Sequence, residues 1–144
     1  EVADLGFGRC RFALAVPAGA DFYAGYHTRC IASKYVNVTR NYFEKKNMDV
    51  DIVKIEGSVE LAPILGLSDA IVDIVETGTT LKENGLVVAE EVCQVSARMI
   101  VNIASMKLRK TEINELITQV ESYVQEREAQ KKAKAAQEKG AVQA

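Results

Sequence analysis

Within Asp69 to Leu81 (DAIVDIVETGTTL), an apolar stretch delivers the acids Asp73 and Glu76 to a Thr77-Gly78-Thr79-Thr80 turn, and Leu81 follows. The first backbone N–H groups of a helix have no partner within it. The helix dipole adds partial positive charge at the same end. A phosphate monoester suits such a place. Gly78 lets the backbone come close, and the hydroxyls of Thr77, Thr79 and Thr80 can donate to phosphate oxygens. Carboxylates are poor neighbours for a phosphate, so Asp73 and Glu76 need another partner. Vicinal sugar hydroxyls or a magnesium ion would serve. A ribose 5-phosphate unit carries a phosphate for the turn and hydroxyls for the acids. Taken alone, the turn reads slightly better as a plain helix cap beside two solvated acids, and it is less specific than a full Walker A loop.

The elements that would hold this turn alternate along the chain. Cys10 to Val16 (CRFALAV) is strand-like and stops at Pro17-Ala18-Gly19. Ile31, Tyr35, Val38 and Tyr42 recur at steps of three and four, which predicts one face of a helix that stops at Asn47. Val50 to Ile55 alternates as a half-buried strand does. Ser58 is a candidate N-cap for a short helix over Val59 to Leu65, with Gly66 near its end. Ala70 to Val75 is a second apolar strand. Leu81 to Asn84 reads as a short helix closed by Gly85, and Leu86 to Cys93 and Ala97 to Asn102 as two further strands. Thr111 would cap a last helix with Ile113, Leu116, Ile117, Val120 and Val124 on one stripe. Beyond Glu126 the stripe ends, and the Lys-, Ala- and Gln-rich tail reads as frayed helix or disorder. Strands alternating with helices predict an α/β fold with a central sheet.

Composition narrows the function classes. The 144 residues hold 18 basic and 20 acidic side chains, which argues against a nucleic-acid binder and against charge-driven membrane attachment. No stretch approaches the ~20 apolar residues of a membrane span, and no signal peptide is visible. Cys10, Cys30 and Cys93 form no CxxC pair; they read as reduced, mostly buried thiols of a cytoplasmic protein. His27, the single histidine, reads as a surface or capping residue rather than an acid–base catalyst.

Glu60 to Leu81 (ELAPILGLSDAIVDIVETGTTL) resembles the diagnostic segment of the ATP phosphoribosyltransferase family. That pattern runs Glu, five residues, Gly, one residue, a small residue, an Ile/Val-x-Asp strand, then Thr/Ser-Gly-x-Thr-Leu. Glu60, Gly66, Ser68, Ile71, Asp73, Thr77, Gly78, Thr80 and Leu81 fill it at the required spacing. Asp4 to Phe12 is similar to the family's strand leaving the first domain. Ile31 to Tyr35 and Thr39 to Phe43 are similar to its next helix. The resemblance covers roughly Asp4 to Val124.

The resemblance implies a periplasmic-binding-protein-like (type II) lobe with a mixed central sheet flanked by helices, plus a C-terminal helix belonging to the other lobe. It divides the chain into a hinge strand from a largely absent first domain (1–9), a domain binding phosphoribosyl pyrophosphate, PRPP (10–102), a returning helix (103–125) and a polar tail (126–144). It implies transfer of phosphoribosyl from PRPP to N1 of ATP, assisted by magnesium, at the start of histidine biosynthesis. Asp73, Glu76, Thr77, Gly78, Thr79, Thr80 and Leu81 would hold PRPP. Gly57, Ser58, Val59 and Glu60 would line the same cleft. Tyr35 would stack on the nucleotide or else pack in the core, and Arg9 or Arg11 would meet phosphates or lie on the surface. No dedicated catalytic side chain and no protein-held metal is expected, since the chemistry needs positioning and charge stabilisation. The pattern is that of the short form of the family, which works with a subunit similar to histidyl-tRNA synthetase and is expected to be a homo- or hetero-oligomer. The alternative is a sugar-phosphate or anion-binding lobe without catalysis.

Overall fold

The structure is a computed structural model that describes residues 1–141. In chain order its elements are β1 (Ala3–Asp4), β2 (Cys10–Pro17), β3 (Arg29–Ser33), α1 (Val36–Lys45), β4 (Val50–Lys54), a 3-10 turn (Val59–Leu61), β5 (Ala70–Val75), α2 (Thr79–Glu83), β6 (Leu86–Val95), β7 (Arg98–Met99), α3 (Ile103–Leu108) and α4 (Lys110–Ala141). They form two compact units: Cys10–Val95, and Glu1–Arg9 together with the chain from Ser96 onward.

The Cys10–Val95 unit is built on a five-stranded mixed sheet of order β4-β3-β5-β2-β6. β3 runs parallel to β4 and β5, and β2 runs antiparallel to β5 and β6. Side chains alternate across the sheet. One face gathers Ala13, Ala15, Ala32, Ile71, Val75, Leu81 and Leu86. The other gathers Phe12, Leu14, Val16, Ile31, Phe43, Ala70 and Val72. β5 is thus apolar towards both faces, as an interior strand must be.

Several expectations change. Ile31 lies in β3 and not in a helix; its neighbour Ala32 is also fully buried, and continuous burial of both faces marks an interior strand. The helix begins only at Val36, and Asn47 ends it at φ +52. The helix expected over Val59 to Leu65 is a single 3-10 turn followed by further turns, because Pro63 has no N–H to continue it; Ser58 makes no side-chain cap bond. Of the thiols, Cys10 and Cys30 are half-buried, and Cys93 is exposed because it lies on the irregular edge strand β6.

In the other unit β1 pairs with β7 (Ala3 with Met99), so the strand expected over Ala97 to Asn102 shrinks to Arg98–Met99. Asn102 then caps α3, its Oδ1 accepting from the N–H groups of Ala104 (2.9 Å) and Ser105 (3.3 Å). This replaces the expected cap at Thr111. Leu116, Val120 and Val124 of the apolar stripe line a 260 Å³ groove with Leu5 and Phe7. The polar tail is helical to Ala141, in keeping with the high helix propensity of Ala, Lys, Gln and Glu. Residues 142–144 of that tail lie outside the described residues. Among the described residues no helix is long and apolar enough to cross a membrane.

A polar clip fastens α1 and the segment after β2 to the edge strand. Glu90 accepts hydrogen bonds from Tyr23, Tyr42 and Lys46. The Lys46 ammonium also donates to the Tyr23 hydroxyl (2.7 Å) and lies 5.0 Å from the centre of the Tyr42 ring. Burial by itself would raise the Glu90 pKa, but the three donors outweigh it and hold the carboxyl down at about 2. Burial and the bond to Glu90 push Tyr42 up to about 12. A carboxyl lowered on folding stabilises above its unfolded value of 4.5, and that contribution fades as the pH falls towards 2. Glu90→Gln is therefore expected to cost about 1 kcal/mol at pH 7 after solvent screening. In urea titrations the difference from the unaltered chain should shrink between pH 4.5 and 2.

Candidate functional site

The site forms where β5 ends. Ile71, Asp73 and Val75 share one face of the strand, and Val75 belongs to the core cluster beneath the Thr77–Leu81 loop. After Glu76 the chain turns at Gly78, φ +79, a left-handed conformation that a side chain would strain. A Cβ at Gly78 would meet the Val75 side chain at 3.8 Å, an ordinary contact, so the strain lies in the backbone angle alone. α2 starts at Thr79, and Leu81 is buried against the sheet, which anchors the loop.

Glu60, Asp73, Glu76, Thr77, Gly78, Thr79, Thr80 and Leu81 line one cleft of 300 Å³ together with Ile74 and Val75. Thr77 and Thr79 hydroxyls lie 3.0 Å apart, and the Thr79 N–H donates to Thr77 Oγ1 (3.4 Å). α2 spans only Thr79–Glu83, so its dipole is small. The loop's capacity for an anion rests on its first-turn N–H groups and threonine hydroxyls. The loop end of the cleft offers hydrogen-bond donors, and the Asp73–Glu60 end offers acceptors.

Burial pushes the Asp73 carboxyl above its usual value. The Ile74 N–H, which donates to Asp73 Oδ1 (2.8 Å), opposes this, the charge of Glu60 adds to the rise, and Lys34 tempers it.

The other candidates disperse. Val59 is buried in the core under the cleft, while Gly57 and Ser58 are exposed and are not among the cleft's lining residues. Tyr35 packs edge-on against Phe12 (4.8 Å between ring centres) in the cluster on the sheet face opposite to that of Val75 and Leu81. Arg11 pairs with Glu91 (3.7 Å) and Arg9 with Glu128 (2.7 Å). His27 is exposed, with Nε2 2.7 Å from an Arg29 nitrogen. Sequence reasoning missed Ile74 and Val75 as walls, and it gave no role to Lys34, which is exposed and whose charge reaches Asp73. The parallel register of β3 against β5 carries that signal, and it is not readable without the pairing. Among the described residues no three His, Cys, Asp or Glu side chains gather into a metal site.

A raised carboxyl binds its proton more tightly folded than unfolded. The ionised Asp73 therefore opposes folding above its raised pKa, and the penalty is relieved as the pH falls through that pKa towards 3.8. Asp73→Asn is expected to raise the urea midpoint at pH 7, with the gain vanishing near pH 3.8. An unchanged or lowered midpoint at pH 7 would show that the carboxylate is not held at a cost.

Residues 1–122 match the family model described as ATP phosphoribosyltransferase. The ATP phosphoribosyltransferase of Clostridium kluyveri is 61% identical over 126 residues, covering 88% of this chain and 58% of the relative. That of Clostridium acetobutylicum is 60% identical over 125 residues, covering 87% and 58%. The chain thus spans a little over half the length of the curated relatives it matches. Among solved structures, the ATP phosphoribosyl transferase (HisG:HisZ) complex from Thermotoga maritima aligns with TM-score 0.75 and 38% identity over 83% of this chain and 59% of that one. Holo ArgBP from T. maritima aligns at TM-score 0.53 and 16% identity, over 83% and 53%, a likeness of fold that fits the periplasmic-binding-protein-like architecture. The match over 1–122, which contains the whole strand, loop and cleft, makes this chain a member of the ATP phosphoribosyltransferase family.

Proposed function

We propose that this chain supplies the PRPP-holding lobe of an ATP phosphoribosyltransferase, which joins PRPP to N1 of ATP and releases pyrophosphate as the first step of histidine biosynthesis. The observation that carries this reading is the single cleft in which the Thr77–Leu81 loop lies beside Asp73 and Glu60. The 5-phosphate takes the loop's N–H groups and hydroxyls. Asp73 accepts from the ribose hydroxyls, directly or through water. Glu76 stands at the entrance of the loop.

At ribose C1, adenine N1 attacks while the C1–oxygen bond to pyrophosphate breaks, through an oxocarbenium-like transition state. The protein's part is to align the two substrates and balance charge. Magnesium comes bound to PRPP and ATP, because this ion keeps substrate phosphates and water as most of its ligands. The T. maritima relative was solved as a HisG:HisZ complex, which supports a regulatory partner similar to histidyl-tRNA synthetase and a hetero-oligomer. The enzyme is placed in the cytoplasm by its substrates. Family membership and the complete Glu60–Leu81 pattern favour a transferase over a binding lobe without catalysis.

Calorimetric titration with PRPP and magnesium tests the site. The unaltered chain should bind weakly and saturably. Thr77→Ala with Thr80→Ala should weaken binding about a hundredfold, at about 1.5 kcal/mol for each hydroxyl–phosphate bond. Saturable binding untouched by the double change would remove the phosphate from this loop.

Clefts of two-lobed folds take residues from both lobes, and the chain spans 58% of its relatives. Pyrophosphate release by the isolated chain should therefore be slight or nil. A rate comparable to that of a complete subunit defeats this expectation.

A further inference from the structure

We propose that Lys34 is the leaving-group cation of this cleft, its ammonium meeting the pyrophosphate of PRPP while the Thr77–Leu81 loop holds the 5-phosphate. The inference rests on the reading of the cleft as a PRPP site and adds the residue that recognises the other end of the ligand.

The placement follows from strand register. β3 pairs in parallel with β5, Ile31 opposite Ala70 and Ala32 opposite Ile71. The Ser33 hydroxyl then donates to the Val72 carbonyl (2.6 Å), which holds the register past the last ladder pair. Lys34 is the next residue, in the bend that follows β3, and the same register continued past the strand end points it at Asp73. Ala32 of β3 belongs to the core cluster that also contains Ile71, Val75 and Leu81, and Lys34 follows just past the strand. That cluster lies on the side of Asp73 and the loop. The next residue, Tyr35, packs in the opposite cluster. Ligands of open α/β sheets bind at the carboxyl ends of the parallel strands, and Lys34 follows the carboxyl end of β3.

Lys34 is also chemically available. It is exposed, and among the described residues it has no ion pair or side-chain hydrogen bond within bonding distance. Lys54 pairs with Glu56 (2.6 Å) and Lys46 with Glu90, and of the lysines left without such a partner among the described residues Lys34 is the one whose charge bears on Asp73. The field of Lys34 nevertheless reaches the carboxylates of both Asp73 and Glu56.

The ligand supplies the need. The cleft wall carries Glu60, Asp73 and Glu76, an arrangement that repels a pyrophosphate unless a cation stands near it. Along PRPP the order is 5-phosphate, ribose hydroxyls, C1, pyrophosphate. Along the cleft the order is loop, then Asp73, and Lys34 stands outside the lining residues, near enough to Asp73 for its charge to act on that carboxyl. In the reaction the C1–oxygen bond breaks with its electron pair going to pyrophosphate. An ammonium at that oxygen stabilises the growing charge without giving up its proton. A lysine is a compact point charge suited to this task.

The test compares PRPP with ribose 5-phosphate, which lacks the pyrophosphate, at constant magnesium. The unaltered chain, Lys34→Met and Lys34→Arg are titrated calorimetrically, with circular dichroism as the check on folding. Lys34→Met should weaken PRPP binding about tenfold and leave ribose 5-phosphate within about twofold, and Lys34→Arg should restore most of the loss. Equal weakening of both ligands, or unchanged PRPP binding, overturns the proposal while leaving the PRPP cleft standing. Failure of the unaltered chain to bind either ligand overturns the cleft reading, and the role of Lys34 falls with it.

Discussion

Strand β5 is bonded on both sides, in parallel to β3 and antiparallel to β2, and the site depends on that double ladder. Arg11 to Ala15 of β2 fix Val75 to Ile71 residue by residue. With Ala70, Ile71 and Val72 buried on both faces, the strand has no freedom to slide. A slip of one residue would exchange the faces. Asp73 would then turn towards Leu14 and Phe12, and Ile74 would turn into the cleft. The orientation of one carboxylate and the exit of the loop are therefore consequences of sheet pairing. Leu81 completes the arrangement by pinning the far side of the loop to the same apolar face.

What the sequence discloses follows from how local each determinant is. Asp73 to Leu81 are contiguous, so strand, left-handed glycine and helix start can all be read together, and the structure brings these residues into one cleft. Glu60 joins them through a spaced pattern. The misreadings occur where partners are remote. Ile31, Tyr35, Val38 and Tyr42 do fit a helical step, but an interior parallel strand followed by a helix gives the same apolar positions, and only the ladder to β4 and β5 separates the two. Val59 to Leu65 looked helical by pattern although Pro63 removes a donor. α3 was hidden because its cap, Asn102, lies within a stretch that reads as strand. Tyr35 and Lys34 are adjacent in sequence, yet Tyr35 packs against one core cluster and Lys34 is exposed in the bend after β3.

The cleft also illustrates why a site can be costly to the fold that carries it. Asp73 is partly buried near Glu60, and its carboxyl is raised for that reason. A sheet selected for stability alone would place an apolar residue there, as it does at Ile71 and Val75. The Glu90 clip shows the opposite arrangement on the same unit: a carboxylate surrounded by donors and lowered to about 2. Glu90 is satisfied by its own chain, whereas Asp73 has only the adjacent Ile74 N–H among side-chain-accepting bonds in the described residues. An acceptor with one local donor, beside a loop whose Thr77 and Thr79 hydroxyls bond one another, is an arrangement that would complement a sugar phosphate. Both halves hang from one strand and the loop that continues it. Their spacing is therefore set by the ladder of β5, before any ligand arrives, and the ordering cost on binding falls mainly on the ligand.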